Sequence, residues 1–289
     1  MSARNALKRS SLRDIIARAA HTLAGAGVAS PEVDARILAA QLLGVAPMEL
    51  MFADAPASFE RDYDELISRR AAREPLQHII GSAPFYGVDL AVGPGVFIPR
   101  PETEVLADWA VRLLLDAPTA PTVVDLGSGS GALAIAVARA IPAASVYAVE
   151  RSAAARAFLD RNVAKYAPQV TVVPGDMTDA KLLPGLAGAV DLVVTNPPYV
   201  PETPTLQAEV YTDPPEAVFS GADGMDAIRG LLPVANRLLR SGGAIGVEHD
   251  DTTSAAVQDA LKSAGFGDVR VVEDLAGRAR FVTASKLAR

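Results

Sequence analysis

Asn196-Pro197-Pro198-Tyr199 stands directly after the apolar run Asp191-Leu192-Val193-Val194-Thr195. The tetrapeptide suits one demanding reaction, alkylation of an amide-type nitrogen. The lone pair of such a nitrogen is delocalised into a planar π system, so it is a poor nucleophile. A carboxylate base cannot usefully remove its proton at neutral pH. Positioning is what helps: two acceptors that hold the two N–H bonds aim the nitrogen at an electrophilic methyl. Asn196 offers a side-chain carbonyl, and Pro197 a main-chain carbonyl with no competing N–H of its own. The two prolines stiffen the loop, so the acceptors are pre-organised. Tyr199 can lie against the planar face. As the nitrogen attacks, its protons become acidic and the oxygens stabilise the developing positive charge. Asn-Pro alone is a common turn initiator; the four residues together after a strand are far more specific.

A second constellation, Asp125-Leu126-Gly127-Ser128-Gly129-Ser130-Gly131, closes a strand and opens a helix. Its glycines let the backbone turn sharply and approach a ligand closely. Gly127 to Ala132 satisfies even the loose dinucleotide pattern G-x-G-x-x-G/A. Asp125 two positions ahead and the third glycine at Gly131 turn the reading toward S-adenosylmethionine. Glu150 ends the next strand, 23 residues after Gly127, where a carboxylate can accept both hydroxyls of a ribose. Gly175-Asp176-Met177 follows the third strand; an acid there can meet an adenine amino group, and Met177 can cover the ring. The cofactor candidates are therefore Gly127, Ser128, Gly129, Ser130, Gly131, Glu150, Asp176, Met177 and Asn196.

The elements that must hold these residues are legible in outline. Strand candidates are 122–126, 145–150, 170–173, 191–195, 244–248, 269–273 and 280–283, with helical stretches between the first five. This predicts a mostly parallel seven-stranded α/β sheet with helices on both faces. Only Asp274 to Ala279 separate the last two, too few for a parallel crossover, so they are an expected antiparallel pair. Residues 10–73 read as a small helical bundle. Leu12, Ile15, Ile16 and Ala19 share one face; Ser30-Pro31-Glu32 opens a helix that buries Val33, Ile37, Leu38 and Leu42 and ends at Gly44. Between the two regions, 85–90 alternates, Gly93-Pro94-Gly95 turns, and 96–98 is apolar, which reads as a β-hairpin. The expected organisation is a helical domain over 1–80, a hairpin linker over 81–100 and a Rossmann-like domain over 101–289.

Composition narrows the chemistry. The 289 residues hold no cysteine and three histidines, His21, His78 and His249, none at metal-ligand spacing, so neither thiolate chemistry nor a histidine metal site is expected. The net charge of −7 falls wholly on residues 81–289, with 17 basic and 24 acidic side chains; residues 1–80 carry 10 of each. No basic face for a nucleic-acid backbone is expected. The basic positions Arg4, Lys8, Arg9, Arg13 and Arg18 read as a solvated face. No stretch is long and apolar enough for a membrane span, and the expectation is a cytoplasmic monomer. Trp109 and His249 are expected to be structural. Arg100 and Glu102 either shape the pocket wall and hold the Asn196 loop or form a buried inter-domain ion pair.

Beyond the two constellations, the chain carries Pro75-Leu76-Gln77-His78-Ile79-Ile80-Gly81, then Phe85-Tyr86-Gly87, then Phe97-Ile98-Pro99-Arg100-Pro101-Glu102-Thr103-Glu104. Further on come Asp213-Pro214-Pro215-Glu216-Ala217-Val218, Asp223-Gly224-Met225, Gly242-Gly243, Glu248-His249 and Asp274-Leu275-Ala276-Gly277-Arg278. With these segments the sequence resembles, over nearly its whole length, the release-factor glutamine N5-methyltransferases of the HemK/PrmC type. The resemblance implies a Rossmann-like class I fold after a helical domain that recognises the substrate. It implies S-adenosylmethionine as donor, S-adenosylhomocysteine as product and no metal. The partner it implies is a class 1 peptide chain release factor, methylated on the glutamine of its Gly-Gly-Gln motif. By position, Asn196, Pro197, Pro198 and Tyr199 would hold the glutamine. Glu150 stands where many relatives have Asp, Met177 where an aromatic is frequent, and Asp213 where Glu is commoner. Competing readings are a ribosomal-protein glutamine methyltransferase, a nucleic-acid methyltransferase acting on adenine N6 or guanine N2, a nicotinamide oxidoreductase, and a non-catalytic interaction module, which needs neither loop. The acidic sheet domain speaks against a nucleic-acid substrate, and an oxidoreductase leaves the Asn-Pro-Pro-Tyr loop without a role.

Overall fold

The computed structural model describes residues 11–115, 120–202 and 211–288. Arg4, Lys8 and Arg9 of the basic run lie outside them. The chain separates into two compact units, Met1–Gly81 and Ser82–Arg289.

The first unit is helical. Helix α1 (Leu12–Gly25) opens on a capping box in which Ser11 and Asp14 satisfy each other's backbone N–H groups. Helix α2 (Pro31–Leu43) has Pro31 in its first turn and stops at Gly44 in a left-handed conformation. A 3₁₀ turn (Glu49–Phe52), α3 (Phe59–Ala71) and the short α4 (Leu76–Ile80) complete it. Leu23, Leu38, Phe59 and Tyr63 form its core. The Phe59 and Tyr63 rings stack at 5.1 Å, and the Tyr63 hydroxyl donates to the Ala35 carbonyl at 2.7 Å. The buried face of α2 is not the expected one: Asp34, Ala35, Leu38 and Ala39 point inward, while Val33 is 55% exposed. The Asp34 carboxylate accepts from Arg70 Nε at 2.8 Å inside the bundle, and turning Asp34 inward rotates Val33 out by one helical position.

The second unit begins with the hairpin β1 (Ser82–Phe85) and β2 (Val88–Ala91), paired antiparallel with Phe85 opposite Val88. Its turn is therefore Tyr86-Gly87, not the expected Gly93-Pro94-Gly95. Both turn residues have positive φ, 45° and 77°, as a two-residue turn matched to the strand twist requires. Val96 and Ile98 form no strand; they pack with Val92, Ala155 and Phe158.

Helix α5 (Thr103–Leu115) leads to alternating strands and helices: β3 (Thr122–Leu126), α6 (Ala132–Ala140), β4 (Ser145–Glu150), α7 (Ala153–Tyr166), β5 (Thr171–Pro174) and β6 (Val190–Thr195). Then come the short α8 (Pro215–Val218), α9 (Asp226–Leu238), β7 (Leu239–Glu248), α10 (Ser254–Ser263), β8 (Phe266–Glu273) and β9 (Ala279–Lys286). The seven-stranded sheet has the order β5-β4-β3-β6-β7-β9-β8. β3 to β7 pair parallel, and β9 pairs antiparallel with both β7 and β8. Successive strand residues serve opposite faces: Leu192 and Val194 pack with α5, α6 and α7, and Val193 with α9 and α10. The chain winds outward from β3 through β4 and β5, then returns to β6 on the other side of β3. That reversal opens a crevice at the carboxyl ends of β3 and β6, where open α/β sheets bind ligands. Among the described residues no helix is long and apolar enough to cross a membrane.

Candidate active site

A cavity sits at this reversal. Its wall includes Asp125, Gly127, Ser128, Gly129 and Ser130 from the β3–α6 loop, Glu150 and Ser152 after β4, Asp176 and Met177 after β5, and Asn196 and Pro198 after β6. Phe97, Pro99 and Thr103 close one side and Pro214, Glu216 and Ala217 another. Asn196 and Pro198 thus face one space with a loop some 70 residues earlier in sequence, while Pro197 and Tyr199 do not line it. The link between the two loops is direct: the Thr195 hydroxyl donates to the Leu126 carbonyl at 2.6 Å, joining the ends of β6 and β3.

The glycine loop is held from below. Asp125 is buried; its Oδ2 accepts the Ala134 N–H at 3.1 Å, while Oδ1 has no partner. Burial pushes its carboxyl up to about 7. Glu150 accepts the Gly129 N–H at 2.9 Å on one oxygen and the Ser152 N–H at 2.7 Å on the other. An ionised carboxylate has about four acceptor positions, so capacity remains on both oxygens. Gly131 does not line the cavity. It caps α6 with φ of 90°, and a Cβ there would lie 2.6 Å from Leu159 Cδ1; its glycine serves helix packing.

On the β5 side, Met177 Sδ lies 3.3 Å from where a Gly127 Cβ would be, so thioether and glycine backbone close on each other. Asp176 is more engaged than expected: Oδ1 accepts the Thr178 N–H and hydroxyl at 2.8 and 2.7 Å, and Oδ2 faces Arg151 at 3.3 Å. The Thr178 hydrogen bonds hold its carboxyl below the ordinary value.

The Asn-Pro-Pro-Tyr loop is tied to two residues, Thr103 and Glu248, that lie in segments carrying the family resemblance but to which the sequence alone gives no role. Asn196 Nδ2 donates to Thr103 Oγ1 at 3.3 Å, and Thr103 Oγ1 donates to Glu248 Oε2 at 2.7 Å. The Tyr199 hydroxyl donates to Glu248 Oε1 at 3.0 Å. Glu248 is 2% exposed, and burial pushes its carboxyl up to about 7. Burial beside Glu248 likewise raises Tyr199, which stays a donor. Pro197 is buried. Arg100 pairs with the buried Asp213 at 2.6 Å rather than with Glu102, which is exposed, and its guanidinium lies 4.8 Å from the centre of the Phe97 ring. The alternative of a buried Arg100–Glu102 pair is thereby corrected. Both Arg100 and Asp213 are in the second unit. Arg100 braces the wall formed by Phe97 and the segment from Pro214 to Ala217. Trp109 packs against Gly246, where a Cβ would meet its ring at 2.5 Å. His249 is buried with Nδ1 2.7 Å from the Asp250 carbonyl. Among the described residues, no group of three acidic or histidine side chains could hold a metal.

Comparison with known proteins matches residues 14–81 to the PrmC N-terminal domain and residues 93–213 to the methyltransferase small domain. A release factor glutamine methyltransferase of Corynebacterium glutamicum is 54% identical over 280 residues, 96% of this chain and 98% of the relative. The chain belongs to the release factor glutamine methyltransferase family. Members from Mycolicibacterium smegmatis (51% identical, covering 96% of this chain and 99% of the relative) and Streptomyces coelicolor (46%, 94% and 96%) agree. Outside the family, a Thermus thermophilus 16S rRNA N2 G1207 methyltransferase solved with AdoMet and guanosine shares the fold. Its TM-score is 0.52 at 22% identity, over 71% of this chain and 49% of that one.

Proposed function

We infer that the protein transfers a methyl group from S-adenosylmethionine to the side-chain amide nitrogen of the glutamine in the Gly-Gly-Gln motif of a class 1 peptide chain release factor. The new N–C bond forms as the S–CH₃ bond of the sulfonium breaks, and the products are N5-methylglutamine, S-adenosylhomocysteine and a proton released from the amide nitrogen. The observation that carries this reading is the juxtaposition of Asn196 with Glu150 and the glycine loop on one cavity wall, in a chain whose near-full-length relatives bear that name.

The residues present fit the donor. Glu150 has free acceptor capacity for two ribose hydroxyls, Gly127 to Gly129 permit close backbone approach, and Met177 offers a polarisable surface to a purine. Asp176 lines the same cavity, and its Oδ2, with one contact to Arg151 at 3.3 Å, keeps acceptor capacity for the adenine amino group beside Met177. When bound, S-adenosylmethionine supplies an electrophilic methyl on a sulfonium. Asn196 Oδ1 and the Pro197 carbonyl accept the two N–H bonds of the glutamine amide and aim its nitrogen into the cavity. Tyr199 flanks the amide plane and Pro198 stiffens the wall. As the new bond forms, positive charge grows on the N–H hydrogens and these oxygens stabilise it.

The helical domain over 1–80 is assigned to recognition of the release factor and the hairpin region 81–100 to linking it with the methyltransferase domain over 101–289. A tripeptide alone offers little binding surface. Action as a monomer is part of the same reading, and a release factor substrate implies work in the cytoplasm. The test is incubation of unmethylated release factor with this protein and S-adenosylmethionine, then peptide mass spectrometry. One added methyl on the Gly-Gly-Gln glutamine is expected; transfer to another residue, a ribosomal protein or nucleic acid instead refutes the substrate.

A further inference from the structure

We propose that Glu248 and Thr103 are positioning residues that fix which way the Asn196 amide faces, presenting its carbonyl rather than its NH₂ group to the substrate. The proposal rests on the amide-methylation reading above and deepens it.

Three residues from distant parts of the chain carry it: Thr103 opens α5, Asn196 follows β6, and Glu248 ends β7. An asparagine amide can turn over and exchange its oxygen and nitrogen with little change in shape. For a substrate that offers only N–H donors the two arrangements are opposites. With oxygen forward Asn196 accepts; with nitrogen forward it confronts donor with donor.

The hydrogen-bond polarity decides. Ionised Glu248 is acceptor-only. Its Oε2 takes the single hydroxyl proton of Thr103 at 2.7 Å. With that proton committed, Thr103 Oγ1 can only accept from Asn196, so the amide must turn its Nδ2 toward it, as it does at 3.3 Å. Oδ1 is then the atom left for the cavity, whose wall Asn196 joins. Reversal would turn the Thr103 proton toward Asn196 and leave Glu248 Oε2 buried without its donor, a cost that falls on a charged group in a dry environment. The second carboxylate oxygen takes the Tyr199 hydroxyl at 3.0 Å. One buried carboxylate therefore fixes both ends of the tetrapeptide, the direction of the amide at one end and the ring at the other.

The full-length protein is tested as T103V, which keeps the shape of Thr103 but neither donates nor accepts, as T103S, which keeps the hydroxyl, and as E248Q. Methyl transfer to unmethylated release factor gives kcat and KM, calorimetry gives the Kd for S-adenosylmethionine, and NMR of the Asn196 side-chain amide gives its exchange rate with water. T103V should lower kcat by roughly tenfold to a hundredfold with the cofactor Kd within about twofold, and should speed Asn196 amide exchange. T103S should return both readouts to within about threefold of the native protein, and E248Q should resemble T103V. Equal loss in T103V and T103S, native turnover in T103V, or unchanged amide exchange in T103V overturns the proposal. Failure of the native protein to methylate a release factor would instead count against the function, and the exchange rates would still decide the role of Thr103 and Glu248.

Discussion

At the scale of single residues, oriented acceptors are the proposed source of rate and a carboxylate the proposed source of cofactor affinity. Asn196→Ala should cut turnover by about 10²–10³, the effect of losing about 3–4 kcal/mol of pre-organised stabilisation, while the cofactor Kd changes much less. Steady-state kinetics with calorimetry separates the two, and near-native turnover would remove Asn196 from its role. Glu150→Ala should weaken cofactor binding tenfold or more, from the loss of about 1.5–3 kcal/mol of charge-assisted hydrogen bonding. Its two backbone partners, Gly129 and Ser152, lose their acceptor too, so the loop loosens with the ligand contact. The pH dependence follows from Glu248. Burial raises its carboxyl from the ordinary 4.5 to about 7, with the Thr103 and Tyr199 hydroxyls, Arg280 and Glu102 around it. A carboxyl raised on folding binds its proton more tightly in the folded state, so its contribution to stability is full at low pH and is lost as pH rises through about 7. Methyl transfer needs the ionised form and should run the other way, rising between about pH 6 and about pH 8. Asp125, also raised to about 7, adds a titration of the same sign, so the comparison with E248Q is the informative one. Profiles with the same inflection would show that Glu248 does not set it.

At the scale of elements, the glycine loop works because a helix and a strand close tightly around it. Gly131→Ala would place a methyl 2.6 Å from Leu159 Cδ1 at a φ of 90°. Strain and overpacking together should destabilise the fold by about 1–3 kcal/mol, seen as a lower Tm, even though Gly131 does not line the cavity; an unchanged Tm would show that α7 can yield. This division of labour within one motif is invisible in the sequence, where the glycines look equivalent. What was legible there is what is written locally. The apolar runs 122–126 and 145–150 became β3 and β4 without a shift, and Asn196 to Tyr199 stood where a strand end had to be. Long-range side-chain choices were not legible. Thr103 and Glu248 lie 145 positions apart, and no spacing rule joins them. Arg100 found Asp213 rather than the nearby Glu102 for the same reason. Val33 was misplaced because an apolar periodicity does not anticipate an inward carboxylate such as Asp34. The hairpin turn was misread because Tyr86 accepts a positive φ that residue type alone does not suggest.

At the scale of the molecule, the proposed donor cavity and the helical bundle belong to different compact units. Every residue of the cavity wall lies in the second unit. Asp34→Ala in the first unit would remove a carboxylate from the buried Arg70 guanidinium, which keeps its bond to the Glu74 carbonyl. It should cost about 1–3 kcal/mol of stability in that unit, while the Kd for S-adenosylmethionine in the full chain stays at its native value. Denaturant unfolding and calorimetry on the same sample check both halves of that statement; a weakened Kd would show that the helical unit supports the cavity after all. The central claim is that one glutamine amide is delivered to Asn196 and Tyr199 beside the bound donor. Peptide mass spectrometry of an unmethylated class 1 release factor, after incubation with this protein and S-adenosylmethionine, tests it most directly. A single added methyl on the Gly-Gly-Gln glutamine is expected, present with the native protein and strongly reduced with Asn196→Ala. An unmodified glutamine alongside intact cofactor binding would contradict it.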